Sequence, residues 1–187
     1  MIEKGKVSQE PFIEILKTLE EAESANLVDW NAMNISSVDQ MNQPSSRMVL
    51  LKKISDEGLV FYTNYNSRKG KEIELNPKVA VNFWWRELKK QIRVEGFIEK
   101  ASSEDSDNYF NSRPLKSRVS AIISNQSSTI HSYEDLTNQI DNYLEQNDES
   151  SIERPDHCGL YTVIPNAVEC WQERDNRTHK RLKYTLI

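Results

Sequence analysis

Between Asn34 and Glu99 the chain carries five β-prone runs set so close together that antiparallel pairing through hairpins is the simplest way to connect them. They are Asn34–Val38, Ser46–Ile54, Leu59–Asn64, Lys78–Trp85 and Gln91–Glu99, with turns at Asp39–Pro44 and at S-D-E-G, Ser55–Gly58. Five or six short strands with few helices between them predict a small β-barrel, mainly β with flanking helices in the α+β sense. The centre of this region is S-S-R-M-V-L-L-K, Ser45 to Lys52. As a strand it points Arg47, Val49 and Leu51 one way and Met48, Leu50 and Lys52 the other. A cation near each end of an apolar strand is costly unless the charge reaches water or meets an anion.

Helices flank the strands. Pro11–Ala25 places Phe12, Ile15, Leu16, Leu19 and Ala22 on one face, with proline in the first turn. Ser67 is a candidate N-cap for a short helix, which puts Arg68 and Lys69 in its first turn. Cations there oppose the helix dipole. A phosphate bound at that N-terminus would resolve the conflict, and a solvated charged turn would also tolerate it. Ser102 with Asp105 forms a capping box for a helix that Arg113-Pro114 stops, and a second helical run extends from Leu115 to Ser128. Tyr109, Arg113 and Ser117 recur every four residues, so one side of this pair can present a phenol, a guanidinium and a hydroxyl to a phosphate. Ser132–Asn147 is a capped amphipathic helix.

Gly159–Ile164 and Ala167–Trp171 read as two further strands. After them comes W-Q-E-R-D-N-R-T-H-K-R, Trp171 to Arg181. If Arg177–Arg181 is extended, Arg177, His179 and Arg181 share a face and repel one another unless an anion or acidic surface compensates. An exposed basic edge that resists aggregation is the other use of such a strand.

Composition closes off other classes. The 187 residues suit one domain, 1–187, with a short N-terminal arm at 1–10. A formal charge of -5 argues against general nucleic-acid binding, so no nucleic-acid partner is expected. No apolar run approaches a membrane span, and Met1–Gln9 lacks a signal peptide's apolar stretch, which predicts a cytoplasmic protein without a membrane partner. Two cysteines, Cys158 and Cys170, form neither a disulfide framework nor a zinc knuckle. The five glycines offer no dinucleotide or P-loop spacing, and the three histidines no metal spacing.

Taken in order, R-M-V-L-L-K (47–52), F-Y-T-N (61–64), S-R-K (67–69), Q-I-R-V-E-G (91–96), Y-F-N-S-R-P (109–114), S-N-Q-S-S (124–128) and the 171–181 run resemble the pyridoxamine 5'-phosphate oxidase family. The resemblance covers about Pro11 to Tyr184. It implies an FMN-binding split β-barrel homodimer with flavin at the subunit interface. It assigns FMN to Arg47, Met48, Val49, Leu50, Leu51, Lys52, Tyr62, Thr63, Arg68, Lys69, Gln91, Gln126, Ser127, Trp171 and Arg181. The substrate phosphate goes to Lys52, Tyr109, Arg113 and Ser117, and the pyridine ring to Arg177 and His179, which are also the catalytic candidates. The implied reaction oxidises pyridoxine or pyridoxamine 5'-phosphate to pyridoxal 5'-phosphate, the flavin taking a hydride from C4' and molecular oxygen reoxidising it. The alternatives are an oxidase of another small aromatic substrate, as in the phenazine branch of the superfamily, and a non-catalytic binder of FMN or pyridoxal phosphate. The family usually carries a longer N-terminal arm and a final strand ending in Arg-Leu-x-Pro, so the sequence reads as short at both ends.

Overall fold

The computed structural model describes residues 2–186, which group into two compact units. Of the described residues, the first comprises 2–61, 72–99 and 161–186; the second comprises 62–71 and 100–160.

The first unit holds a barrel. Its strands are β1 (Glu3–Lys4), β2 (Ala32–Val38), β3 (Pro44–Ser55), β4 (Gly58–Asn64), β5 (Lys78–Trp85), β6 (Lys90–Lys100), β7 (Cys158–Gln172) and β8 (Lys180–Thr185). β4, β6 and β7 run past the unit's limits at one end. The order β3-β2-β5-β6-β7-β4 closes on itself through β3–β4, leaving β1 on β3 and β8 on β7 outside the six-stranded ring. Closure removes the exposed sheet edges that a six-stranded open sheet would carry.

Period-two alternation fills the interior. Met33 and Ile35, Leu51 and Ile54, Leu59 and Phe61, Val81 and Phe83, and Ile92 and Val94 are all at or near zero exposure. Helix α1 (Glu10–Ser24) lays Phe12, Ile15, Leu19 and Ala22 into the same core. It stops at Asn26, whose positive φ of 53° lets the Asn26 and Leu27 amides bond back to Glu23 and Ala22 carbonyls.

The second unit has its own core. Phe110, Val119, Ile140 and Ile152 are buried together, with Leu115, Ile123, Leu136 and Tyr143 packed around them. All but Ile152, which follows the 3-10 turn Glu149–Ser151, come from α3 (Ser103–Asn111), α4 (Leu115–Ile123) and α5 (Tyr133–Gln146). The caps are the ones the sequence predicts: Ser102 Oγ accepts from the Asp105 amide at 3.0 Å, and Ser132 Oγ from the Asp135 amide at 3.0 Å.

Three sequence expectations change. Gly159–Ile164 and Ala167–Trp171 are one continuous strand, β7. Pro165 interrupts nothing in the β8 ladder because that pairing begins only at Ala167. The run from Leu115 is helical only to Ile123, since Ser124 is extended and Ser127 has φ +71° in the turn that follows. Arg177 to Arg181 is not an extended strand. Asp175–Arg177 is a 3-10 turn in which Asn176 and Arg177 take positive φ values of 54° and 63°, and Thr178 closes it by donating from N–H and Oγ1 to the Asp175 carbonyl. Asparagine tolerates this left-handed conformation, and β8 starts only at Lys180. Arg177, His179 and Arg181 therefore share no strand face.

Candidate functional site

The expected site residues divide between the two units. In the second, β4 delivers Tyr62 and Thr63, and α2 (Arg68–Leu75) opens at Arg68 and Lys69. Ser67 caps this helix as expected, its Oγ lying 3.4 Å from the Gly70 amide. Gly70 is required there: a Cβ would sit 1.9 Å from the Tyr65 carbonyl oxygen. Arg68 is exposed, whereas Lys69 is only 7% exposed. The Lys69 ammonium donates to Gln126 Oε1 at 2.7 Å, Thr63 Oγ1 at 2.9 Å and Ser67 Oγ at 3.2 Å. Thr63, Lys69 and Gln126 thus meet as one cluster at a helix N-terminus, an arrangement suited to a phosphate. Ser127 lies exposed in the adjoining turn.

Beside this cluster is a cavity of about 280 Å³ lined by Tyr62, Thr63, Asn64, Arg113, Ser120, Ala121, Ser124, Gln126 and Cys158. The Arg113 guanidinium stands 5.0 Å over the Tyr62 ring, and the Tyr109 ring centre is 5.0 Å from the same ring. Among the described residues, Tyr62 Oη and Arg113 Nη1 are both buried with no well-formed hydrogen bond, although the phenol lies close enough to Arg113 and Cys158 to interact with each. Burial pushes the Tyr62 phenol well above its ordinary pKa, so it stays a proton donor. The Cys158 thiol is likewise raised by burial and is not a ready nucleophile. Ser117, expected beside Tyr109 and Arg113, is half-buried in the first turn of α4 and does not line the cavity.

In the first unit, β3 carries Arg47 to Lys52 with the alternation expected: Met48 and Leu50 are 60% and 41% exposed, and Leu51 is fully buried. The Leu51 side chain is therefore closed to a ligand, and its N–H and C=O are both engaged with Asn31 at 2.9 Å. The pairing register shifts between Leu51 and Lys53, so Lys52 sits at a bulge, a common device for re-aiming a side chain. Gln91 and Trp84 are cross-strand partners, and the Trp84 ring lies 6.1 Å from Trp171. Trp171 also contacts the His179 ring at 4.7 Å. His179 Nδ1 accepts from the Arg174 amide at 3.2 Å, which leaves the proton of a neutral ring on Nε2. Arg181, opposite Trp171 in the ladder, stands 3.7 Å from Glu169, and Arg177 is exposed.

Sequence reading missed Ser37, Ser45 and Glu72, which surround Arg47, and Asn64, Ser120 and Ser124 in the cavity wall. Asn64 and Ser124 lie within the F-Y-T-N and S-N-Q-S-S motifs, but Glu72 meets Ser37, Ser45 and Arg47, and Asn64 meets the Ser124 carbonyl, only through long-range pairing.

The family profile described as pyridoxamine 5'-phosphate oxidase matches residues 19–143. The chain belongs to the pyridoxamine 5'-phosphate oxidase family.

It is an oxidase by that membership. A second profile, described as the pyridoxine 5'-phosphate oxidase C-terminal dimerisation region, matches residues 159–186. Pyridoxine/pyridoxamine 5'-phosphate oxidase from Nostoc sp. is 47% identical over 182 residues, 97% of this chain and 85% of that protein. Pyridoxine/pyridoxamine 5'-phosphate oxidase 2 from Hydrogenovibrio crunogenus is 42% identical over 185 residues, 99% of this chain and 87% of that one. The fold is that of PhzG from Burkholderia lata, solved in complex with tetrahydrophenazine-1-carboxylic acid: TM-score 0.90, 24% identity, 96% of this chain and 88% of that one. A pyridoxamine 5'-phosphate oxidase-related, FMN-binding protein from Nostoc punctiforme matches at TM-score 0.71 and 16% identity, over 96% of this chain and all of the other. No helix among the described residues is long and apolar enough to cross a membrane.

Proposed function

We propose that the protein is an FMN-dependent oxidase converting pyridoxine 5'-phosphate or pyridoxamine 5'-phosphate to pyridoxal 5'-phosphate, with oxygen as electron acceptor. The observation that carries this reading is the pair of buried donors, Tyr62 Oη and Arg113 Nη1, on one cavity with no well-formed hydrogen bond among the described residues. A buried donor left unsatisfied costs about 1–3 kcal/mol, and more when charged, so the cavity suits an acceptor that none of the described residues supplies. A phosphate satisfies both, and a guanidinium suits it better than an ammonium would.

The residues also fit FMN. Lys69 with Thr63, Gln126 and the α2 N-terminus suits the flavin phosphate. In the first unit, Arg47, Gln91, Trp171 and Arg181 are the residues that the family resemblance assigns to flavin. When bound, FMN supplies a two-electron acceptor for the substrate's C4' carbon. The chain's own part is to neutralise and to place: Lys69 offsets phosphate charge, Arg113 holds the substrate phosphate together with Tyr62, which the resemblance assigned to FMN but which shares Arg113's cavity, and Trp171 with the Arg174 amide fixes the His179 ring. The exposed Met48 and Leu50 side chains, together with the matched dimerisation region, support a homodimer.

Oxygen consumption by the FMN-loaded protein tests the reading with pyridoxine 5'-phosphate, pyridoxamine 5'-phosphate and unphosphorylated pyridoxamine. Turnover of the phosphorylated compounds and not of pyridoxamine is expected. Equal rates with and without the phosphate would remove the role given to Arg113, and no turnover would leave a flavin binder or an oxidase of another substrate.

A further inference from the structure

Glu72 is a carboxylate in the wall of the first unit, its side chain only 5% exposed. Its Oε2 collects three hydrogen bonds: from Ser37 Oγ at 2.5 Å, Ser45 Oγ at 2.6 Å and Arg47 Nη2 at 3.1 Å. Ser37 and Ser45 are direct partners across the β2–β3 ladder, and Arg47 lies opposite Ile35 two positions along. Each hydroxyl donates to Glu72 and also accepts from Arg47, Ser37 from Nη1 at 2.6 Å and Ser45 from Nη2. Nη1 is further directed at the Ile35 and Ser45 carbonyls, both at 3.4 Å. Both Nη groups are thus engaged inside the chain, while Nε has no hydrogen-bond partner among the described residues.

We propose that Glu72 is a positioning residue for flavin binding: with Ser37 and Ser45 as bridges it locks the Arg47 guanidinium in one orientation and leaves Nε–H to the cofactor. The inference rests on the reading that Arg47 holds FMN. A buried ion pair adds little net stability, because desolvation cancels much of its attraction. What it does supply is a fixed geometry. An arginine has several soft torsions, and a ligand that had to order them would bind more weakly. Here two hydroxyls and a carboxylate order them beforehand.

The test is FMN release from the purified full-length holoprotein, followed by flavin fluorescence on dilution, with thermal unfolding of every variant. Arg47→Ala and Glu72→Ala are each expected to raise the FMN Kd roughly tenfold or more, the loss of one charge-assisted contact. Glu72→Gln keeps an acceptor oxygen and is expected to stay within about threefold of wild type. In the Arg47→Ala background, Glu72→Ala is expected to add less than about twofold, since the residue it positions is gone. A wild-type Kd for Glu72→Ala, or an equal loss with and without Arg47, overturns the positioning role. A wild-type Kd for Arg47→Ala overturns the reading beneath it, and the two failures are told apart by that single variant. If Glu72→Ala does not fold, Ser37→Ala/Ser45→Ala cuts the bridges while keeping the carboxylate: a raised Kd supports the role, and an unchanged one overturns it.

Discussion

The Lys69 ammonium lies 2.7 Å from Gln126 Oε1, joining the first turn of α2 to the turn that follows α4. Arg68, its neighbour in sequence, is exposed. Of the two cations at this helix start, Lys69 is thus the one built into the cluster. Lys69→Ala is expected to yield protein that loses FMN during purification, since a charge-assisted contact contributes about 1.5–3 kcal/mol. Excess FMN should restore part of the activity. The check is flavin content per chain by absorbance, and full retention would contradict the assignment.

Arg113→Ala removes a guanidinium whose Nη1 has no hydrogen-bond partner among the described residues. Flavin content should stay at the wild-type level while KM for the phosphorylated substrate rises roughly ten- to a hundredfold. Thermal stability should fall little, because the variant also deletes a buried unsatisfied donor. Steady-state kinetics beside a melting curve decide it: a flavin-free Arg113→Ala protein would place this side chain in the wrong set.

Gly70→Ala forces a methyl group to within 1.9 Å of the Tyr65 carbonyl oxygen. Backbone cannot yield as a flexible side chain can, so a loss of about 3 kcal/mol or more is expected. Urea unfolding should show a lowered midpoint, and a wild-type midpoint would mean the helix start can shift freely.

Cys170 is half-buried, and burial raises its thiol from 9.0 to about 11, with Glu14 and Glu169 acting in the same direction. The folded thiol keeps its proton where an unfolded one has lost it. Between about pH 9 and 11 the unfolded state thus binds fewer protons, and stability falls as pH rises through that window while being unaffected below it. Melting temperatures of wild type and Cys170→Ala should run parallel to pH 8 and then change relative to each other, the wild type losing more. At pH 8 neither Cys170 nor the buried Cys158 should react promptly with iodoacetamide until urea is added.

What the sequence determined by itself was everything with a short period or a local partner. Alternating apolar residues set the barrel strands, and Ser102 and Ser132 announced their helices because a cap and its amide are three residues apart. Ser67, Arg68 and Lys69 marked a helix start in the same way. The order of the motifs pointed to the family, since side chains that meet a cofactor must recur in register. Tertiary structure decided whatever depends on partners distant in the chain. Glu72 meets Arg47 across 25 residues and Lys69 meets Gln126 across 57, and no local rule foresees either. Tyr62 Oη and Arg113 Nη1 lost their hydrogen-bond partners among the described residues only once packing had removed water from them. The turn at Asp175–Arg177 shows the opposite failure: alternating cations looked like a strand face, but the bonds of Thr178 back to Asp175 and the left-handed Asn176 outweighed the pattern. Charge alternation carries no burial energy, so it could not hold the segment extended as apolar alternation holds β5 and β6.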